Sequence, residues 1–422
     1  MHGVPVMIGP TTLFHTLAAD FFVRGDGTVY VQTGDIPAMW LRDAAAQTLP
    51  YVQIAALRPA FRTVILGVIA RETRNVAIDP YANAFRSDYR VWERKWEIDS
   101  LAYPVVLAWA YHAAFNDRRL YTTALHRALA ITARTYECER GHEQCSHYRP
   151  PGVARSAGEP AAAVDLIWSA FRASDDATRY PYNIPEEMIA VTALHDVADL
   201  ARDGYGDMAL ADRATALAAR VANAIRRHGI VDAPRCGGNV YAYEVDGRGR
   251  FVIYDDANLP SLLAAPLLGE VAVDDPVYRR TRACVLSTRN RYFFSGRYAS
   301  GIGSPHTPAG YVWPLALMAR ALTSTDRSEV LEQLRYLAAS ASPDGRIHES
   351  FDPQNPARYT RAEFGWANAM YAELLFRAAA DLPSQPVSAG RQTQPKSIAV
   401  VDTVTAIHNR STLLGAFDRV FR

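Results

Sequence analysis

The sequence predicts a mainly α chain folded as an (α/α)6 barrel, six helical hairpins closed into a toroid with short β-ribbons in the loops. Two observations predict it. Most long segments repeat apolar residues at three- and four-residue steps with frequent alanine, the period of an amphipathic helix. Six polar clusters, near residues 35–43, 93–99, 172–176, 254–258, 304–307 and 348–366, each stand just before a strongly apolar helical segment. Separated by enough chain for a helical hairpin, they put six inner-helix starts around one cavity.

In chain order the helical period runs through residues 44–56, 100–115, 120–136, 185–201, 208–227, 311–321, 328–339 and 361–379. Strand signals are short. Thr28-Val29-Tyr30-Val31 and Asn239-Val240-Tyr241-Ala242-Tyr243 carry the β-branched and aromatic residues that suit a ribbon. Asp43 and Asp99 stand where a carboxylate caps a helix, immediately before the periods that open at 44 and 100. Pro185 with Glu186 and Glu187 makes a good first turn, since proline has no N–H to satisfy there and acids complement the helix dipole. Capping does not explain why Trp40, Arg42, Trp96, Trp168, Arg172 and Trp366 recur beside these acids. The run from Pro383 to Pro395, rich in Pro, Ser, Gln and Gly, reads as a linker. The chain thus divides into a barrel domain over residues 1–382 and a linker with C-terminal tail over 383–422.

Forty-five Lys and Arg against 44 Asp and Glu leave a formal charge of +1, so no global field points to nucleic acid or to an anionic membrane surface. The apolar residues are dispersed among charges, with no run long enough to span a bilayer and no basic start followed by an apolar signal core. A cytoplasmic location is the expectation. Oligomeric state is not legible. Cys138, Cys145, Cys236 and Cys284 are too few for a disulfide-dominated scaffold and show no CxxC spacing. Cys138, His142, Cys145 and His147 are clustered, but their spacing fits no common structural zinc pattern, so an inter-helix loop is the preferred reading. There is no Gly-rich phosphate loop, HExxH or GxSxG, and no calcium-loop spacing among the acids. Neither a cofactor nor a metal is called for.

Two acidic constellations carry the chemistry. Arg172-Ala173-Ser174-Asp175-Asp176 and His348-Glu349-Ser350-Phe351 lie on separate loops. In glycoside hydrolysis one carboxylic acid protonates the leaving oxygen while a second carboxylate activates water or attacks the anomeric carbon. The tryptophans, arginines and acids nearby suit a sugar, which has apolar ring faces and many hydroxyls. Of Trp40, Trp96, Trp168 and Trp366, two are expected to touch substrate and two to serve the core. Arg42 with Asp43 forms either a donor–acceptor fork for hydroxyls or a buried structural pair. His306 sits in Ser-Pro-His-Thr-Pro, where it either meets a hydroxyl or stiffens a turn. Asp255, Asp256 and Asn258 supply acceptors, or an acid among them caps the next helix.

These motifs, read together from Gly34-Asp35-Ile36-Pro37-Ala38-Met39-Trp40-Leu41-Arg42-Asp43 through Glu93-Arg94-Lys95-Trp96-Glu97-Ile98-Asp99, the Asp175-Asp176 loop, Asp255-Asp256-Ala257-Asn258, Gly301-Ile302-Gly303-Ser304-Pro305-His306 and His348-Glu349, resemble glycoside hydrolase family 125. The resemblance covers residues 25–380. It implies a metal-independent, inverting exo-α-mannosidase acting on terminal α-1,6-linked mannose in an oligosaccharide or glycan. It places the general acid on Asp175 or Asp176, with Asp175 preferred, and the general base on Glu349. It also assigns sugar contacts to Asp35, Trp40, Arg42, Asp43, Trp96, Asp99, Trp168, Arg172, Asp256, Asn258, His306 and Trp366. Inversion leaves room for water, so the two carboxyls are expected about 6.5–9.5 Å apart. Two residues depart from the family pattern: Ala44 replaces a serine after Leu-Arg-Asp, and Ala173 replaces a proline before Ser-Asp-Asp, which is expected to loosen the acid loop. The rival readings are an inverting α-glucosidase on the same fold and a catalytically silent glycan-binding protein.

Overall fold

The structure, a computed structural model, describes residues 16–150 and 161–380. The expected boundary at 382/383 and the tail lie outside the described residues. Ten helices of nine residues or more organise what is described: α1 Leu41–Leu57, α2 Ala60–Ile78, α3 Asp99–Phe115, α4 Thr123–Arg140, α5 Ile184–Asp199, α6 Met208–Ala224, α7 Pro276–Val285, α8 Pro314–Leu322, α9 Arg327–Ser340 and α10 Gly365–Ala380.

Sequence pattern separates an inner ring from an outer one. Leu101, Ala102, Tyr103, Val105, Leu107, Ala108 and Tyr111 bury α3 nearly all round, so it can lie only inside. In α6 the buried residues Leu210, Ala211, Ala214, Leu217, Ala218 and Val221 follow one stripe, as suits an outer helix with a solvated face. Around the inner ring α10 packs on α1, α1 on α3, α3 on α5 and α8 on α10; α2, α6 and α9 back α1, α5 and α8 from outside. This is the α/α toroid.

Its sixth inner position departs from the expected hairpin. The cluster at 254–258 leads to a short 3-10 helix, Ala265–Leu268, which packs on α5. Pro260 and Pro266 break the period that a full helix there would need. Two helices, α2 and α7, go beyond those the apolar period predicts. The β-branched run around Gly67 disguises α2, and α7 is short and arginine-rich. A Cβ on Gly67 would meet Val29 Cγ2 at 2.6 Å, so glycine there lets the ribbon strand Val29–Val31 lie directly on α2.

Two-residue strands precede two of the inner helices and steer their starts. Met39–Trp40 pairs with Ala84–Phe85 and leads into α1; Tyr182–Asn183 pairs with Glu244–Val245 and leads into α5. Asn183 caps α5 by accepting the Glu186 N–H at 3.2 Å. Asp43 and Asp99 are not caps. The helices begin at Leu41 and Asp99, and both acids turn inward to Arg42.

Candidate active site

Arg42, in the first turn of α1 and 4% exposed, is the hub of the helix-start end of the barrel. Its Nη1 lies 2.8 Å from Glu97 Oε2 and 3.1 Å from Asp99 Oδ2, its Nε 3.6 Å from Asp43 Oδ2, and its Nη2 3.8 Å from Asp175 Oδ1. Four carboxyls thus face one guanidinium, which itself sits 5.9 Å from the ring centre of Trp366. Burial pushes the Asp43 carboxyl up to about 6 in spite of the attraction of Arg42.

The acid loop is a tight turn closed by two backbone bonds, Arg172 N–H to Asp176 O at 2.8 Å and Asp175 N–H to Arg172 O at 2.9 Å. Asp175 takes a left-handed backbone, φ 63°, which is strained for a residue with a Cβ. That conformation sends its neighbours different ways. Asp175 lines the pocket and accepts from Asn83 Nδ2 at 3.0 Å, whereas Asp176 Oδ2 stands 3.8 Å from His306 Nδ1. Glu186 holds the loop from behind: Oε1 accepts the Ala173 N–H and Oε2 the Ile98 N–H, both at 2.9 Å. Where the sequence suggests a loosened loop at Ala173, the structure shows a tether that proline could not make.

Glu349 stands at the head of the ribbon Ser350–Asp352 with Asn355–Thr360. Asn368 of α10 fixes its approach by accepting the Ile347 N–H at 2.8 Å, and the His348 ring lies flat on Tyr359, 3.7 Å between centroids. Arg361, again left-handed at φ 49°, places Nη1 3.5 Å from Glu349 Oε1 and Nη2 2.6 Å from Asp35 Oδ1. This joins the rim loop at Thr33–Ile36 to Glu349. Gly34 permits the approach, since a Cβ there would stand 2.8 Å from Glu363 O.

The resulting pocket gathers, of the expected residues, Trp40, Arg42, Asp43, Asp175, Asn258, His306 and Glu349. Trp40 Nε1, Ser174 Oγ and Asn258 Nδ2 are buried and make no hydrogen bond among the described residues, so the walls carry unspent polar groups. Asp35 is at the rim and Asp99 lies behind Arg42. Arg172 does not line the pocket; its Nε pairs with Glu244 Oε1 at 2.6 Å, over the Tyr243 and Tyr254 rings. Asp256 is buried near Arg172, and burial raises its carboxyl. Asp255 accepts from Leu262 N and Leu263 N and so holds the turn before the short sixth element.

Three of the four tryptophans are not pocket walls. Trp96 is fully buried and donates to Trp168 O at 2.7 Å; Trp168 stacks on His142 at 3.7 Å; Trp366 meets Tyr103 edge-on. Trp313, Phe364, Arg361, Thr33 and Ile36 line it instead. Trp313 and Phe364 also precede inner helices, and the helix-start rule applied to Val312-Trp313-Pro314 and Phe364-Gly365 finds them. Cys138 bonds to Cys145 and Cys236 to Cys284, so the Cys138, His142, Cys145, His147 cluster has no thiolate to offer a metal. Among the described residues no group of three or more His, Cys, Asp or Glu is arranged to hold a metal ion. No helix among them is long and apolar enough to cross a membrane.

A toroid of paired helices with acidic side chains converging at its helix-start end defines a glycoside hydrolase of the α/α-barrel class. Comparison with known proteins narrows the class. Residues 8–90 and 86–376 match the metal-independent α-mannosidases, and the chain belongs to that family, glycoside hydrolase family 125. A solved α-mannosidase of Streptococcus pneumoniae, in a non-productive substrate complex with α-1,6-mannobiose, is similar at 36% identity and TM-score 0.81, over 86% of this chain and 92% of that one. The meiotically up-regulated gene 157 protein of Schizosaccharomyces pombe is 36% identical over 408 residues, 87% of this chain and 80% of its own length. The glucoamylase of Saccharomycopsis fibuligera shares the fold at TM-score 0.62 and 13% identity, covering 86% of this chain and 92% of its own.

Proposed function

We propose that the protein removes terminal α-1,6-linked mannose from the end of an oligosaccharide or glycan, with inversion, Asp175 acting as general acid and Glu349 as general base. One observation carries this reading: Asp175 and Glu349, from loops far apart in sequence, face a single pocket whose walls leave Trp40 Nε1, Ser174 Oγ and Asn258 Nδ2 unpaired. The family and the mannobiose bound by the streptococcal relative support mannose over glucose.

In the reaction Asp175 gives its proton to the glycosidic oxygen as the C1–O bond breaks. Glu349 takes a proton from water, whose oxygen forms the new bond to C1 from the opposite face. Arg42 and Asn83 aim Asp175, while Arg361 aims Glu349. Two disulfides favour an oxidising compartment over the cytoplasm.

The test is to incubate the protein with α-1,6-mannobiose and follow by NMR the anomer released first. Initial β-mannose is the expected result. Initial α-mannose overturns inversion, and release of glucose from α-glucosides without release of mannose overturns the substrate assignment.

A further inference from the structure

Glu97 is fully buried just before α3 and has no part in the two-carboxyl scheme above. Its Oε2 accepts from Arg42 Nη1 at 2.8 Å and from Ser100 Oγ at 3.2 Å, but its Oε1 side is short of hydrogen. Asn83 Nδ2 has two hydrogens yet faces three carboxyls, Glu93 Oε2 at 3.0 Å, Asp175 Oδ1 at 3.0 Å and Glu97 Oε1 at 3.3 Å. The orientation of this amide is set by the Lys95 N–H, which donates to Asn83 Oδ1 at 3.1 Å. Arg42 touches the same set from the other side, reaching Glu97, Asp99, Asp43 and Asp175. The charged groups facing Glu97 are therefore Arg42 from α1, Asp175 from the acid loop, Asp99 at the start of α3, and Lys95 and Glu93 from the segment before it. Glu186 of α5 faces Asp99 from beyond. Carboxyls outnumber cations, and like charges crowded at a buried site raise the pKa of one of them.

We propose that Glu97 and Asp175 share one proton, Glu97 being a positioning residue that keeps a proton within reach of the general acid at neutral pH. The proposal rests on the reading of Asp175 as acid. Burial and the nearby Asp175 charge push Glu97 well up. Burial also works to raise Asp175, but the hydrogen bond from Glu97 and the charges of Arg42, Lys95 and His306 outweigh it and hold Asp175 low. In the resting pair the proton sits on Glu97 and is donated to the Asp175 carboxylate. As Asp175 protonates the leaving oxygen, the pair as a whole gives up that one proton and both carboxyls end ionised. Water returns it afterwards, so no other reactant is needed. Loss of the pair's proton sets the alkaline limb of activity, and mutual repulsion delays that loss to higher pH.

Glu97→Gln removes the titrating partner while keeping the side chain's shape, leaving Asp175 among Arg42, Lys95 and His306. With α-1,6-mannobiose the alkaline limb of kcat should then move down by about one pH unit or more, the ordinary effect of unopposed cations on a carboxyl. KM should change little, and a mannoside with a good leaving group, which needs no acid, should be spared. An unmoved alkaline limb, or equal losses on both substrates, overturns the proposal. A second measurement needs no folded Glu97 variant. Infrared spectra recorded across pH should show the protonated-carboxyl band lost at lower pH in Asp175→Asn than in wild type, since Glu97 is then free of the Asp175 charge; a band that titrates at the same pH in both proteins overturns the pair. Failure of the wild type to release mannose overturns instead the functional reading, and with it the role given to Glu97, whatever the spectra show.

Discussion

Glu186 Oε1 accepts the amide N–H of Ala173 at 2.9 Å. That bond spans the first turn of an inner helix and the loop that carries Asp175, and it depends on a residue other than proline at position 173. Ala173→Pro should remove it and leave a buried carboxylate oxygen one donor short, a loss of about 1–3 kcal/mol of unfolding free energy. Denaturant melts of the two proteins measure this, and an unchanged midpoint would show that the bond contributes nothing net. Glu186→Gln should be as harmful, because its NH2 group must face one of two N–H donors.

The adjacent acids are separable by activity. Asp175→Asn is expected to reduce kcat on α-1,6-mannobiose by about 10²–10⁴, the usual worth of a positioned general acid. Asp176→Asn should reduce it much less. On an aryl mannoside with a good leaving group Asp175→Asn should recover activity while Glu349→Gln stays inactive. A larger loss at Asp176 than at Asp175 would reverse the assignment.

Arg361→Ala should lower kcat/KM by about 10–100-fold, the equivalent of one charge-assisted hydrogen bond to a carboxylate. Arg361 ties Glu349 to Asp35, so both kcat and KM are expected to suffer. Asp35→Asn cuts the rim without freeing the base and should act on KM alone. Steady-state kinetics of the two variants decides whether rim and base are joined as described.

The fold raises His306 above the usual histidine value of 6.5, first through its contact with Asp176, whose Oδ2 stands 3.8 Å from Nδ1, and then because the charges of Asp175, Asp176 and Glu349 outweigh its burial. A raised pKa means that the fold favours the charged ring, so this stabilisation is complete below about 6.5, the unfolded value, and fades as pH rises through the folded one. The stability difference between wild type and His306→Gln should shrink across that window, and Asp176→Asn should move the His306 NMR titration downward. A titration unmoved by Asp176→Asn would rule out the contact as the cause.

Reduction of the disulfides should destabilise unequally. Cys236 to Cys284 closes 48 residues and Cys138 to Cys145 only seven. Loop-closure entropy assigns them about 4 and 2.5 kcal/mol. Cys236→Ser with Cys284→Ser should therefore lower the melting temperature more than the 138/145 pair of substitutions. The 138/145 pair has a further reporter, because its loop presses His142 onto Trp168 and its loss should change tryptophan fluorescence.

Local chemistry made much of this protein legible from sequence alone. The apolar periods of α3, α5, α6 and α10 and the polar clusters before the inner helices among them are properties of neighbouring residues, and they announced an α/α barrel with a cavity at its helix starts. The Asp175-Asp176 and Glu349 motifs were legible for the same reason, since each is a short run of residues. What only the tertiary structure decided depends on direction and on distant partners. The left-handed backbone at Asp175 turns one acid to the pocket and its neighbour to His306, and no residue pattern encodes that angle. Trp96 and Trp313 both stand beside helix starts, yet one is core and the other wall, because packing around a closed ring decides which face looks inward. Arg361 meets Asp35 across more than three hundred residues, and Arg42 gathers four carboxyls from three separate segments. Electrostatics acts through space, so the sharing of a proton near the acid is invisible until the ring closes.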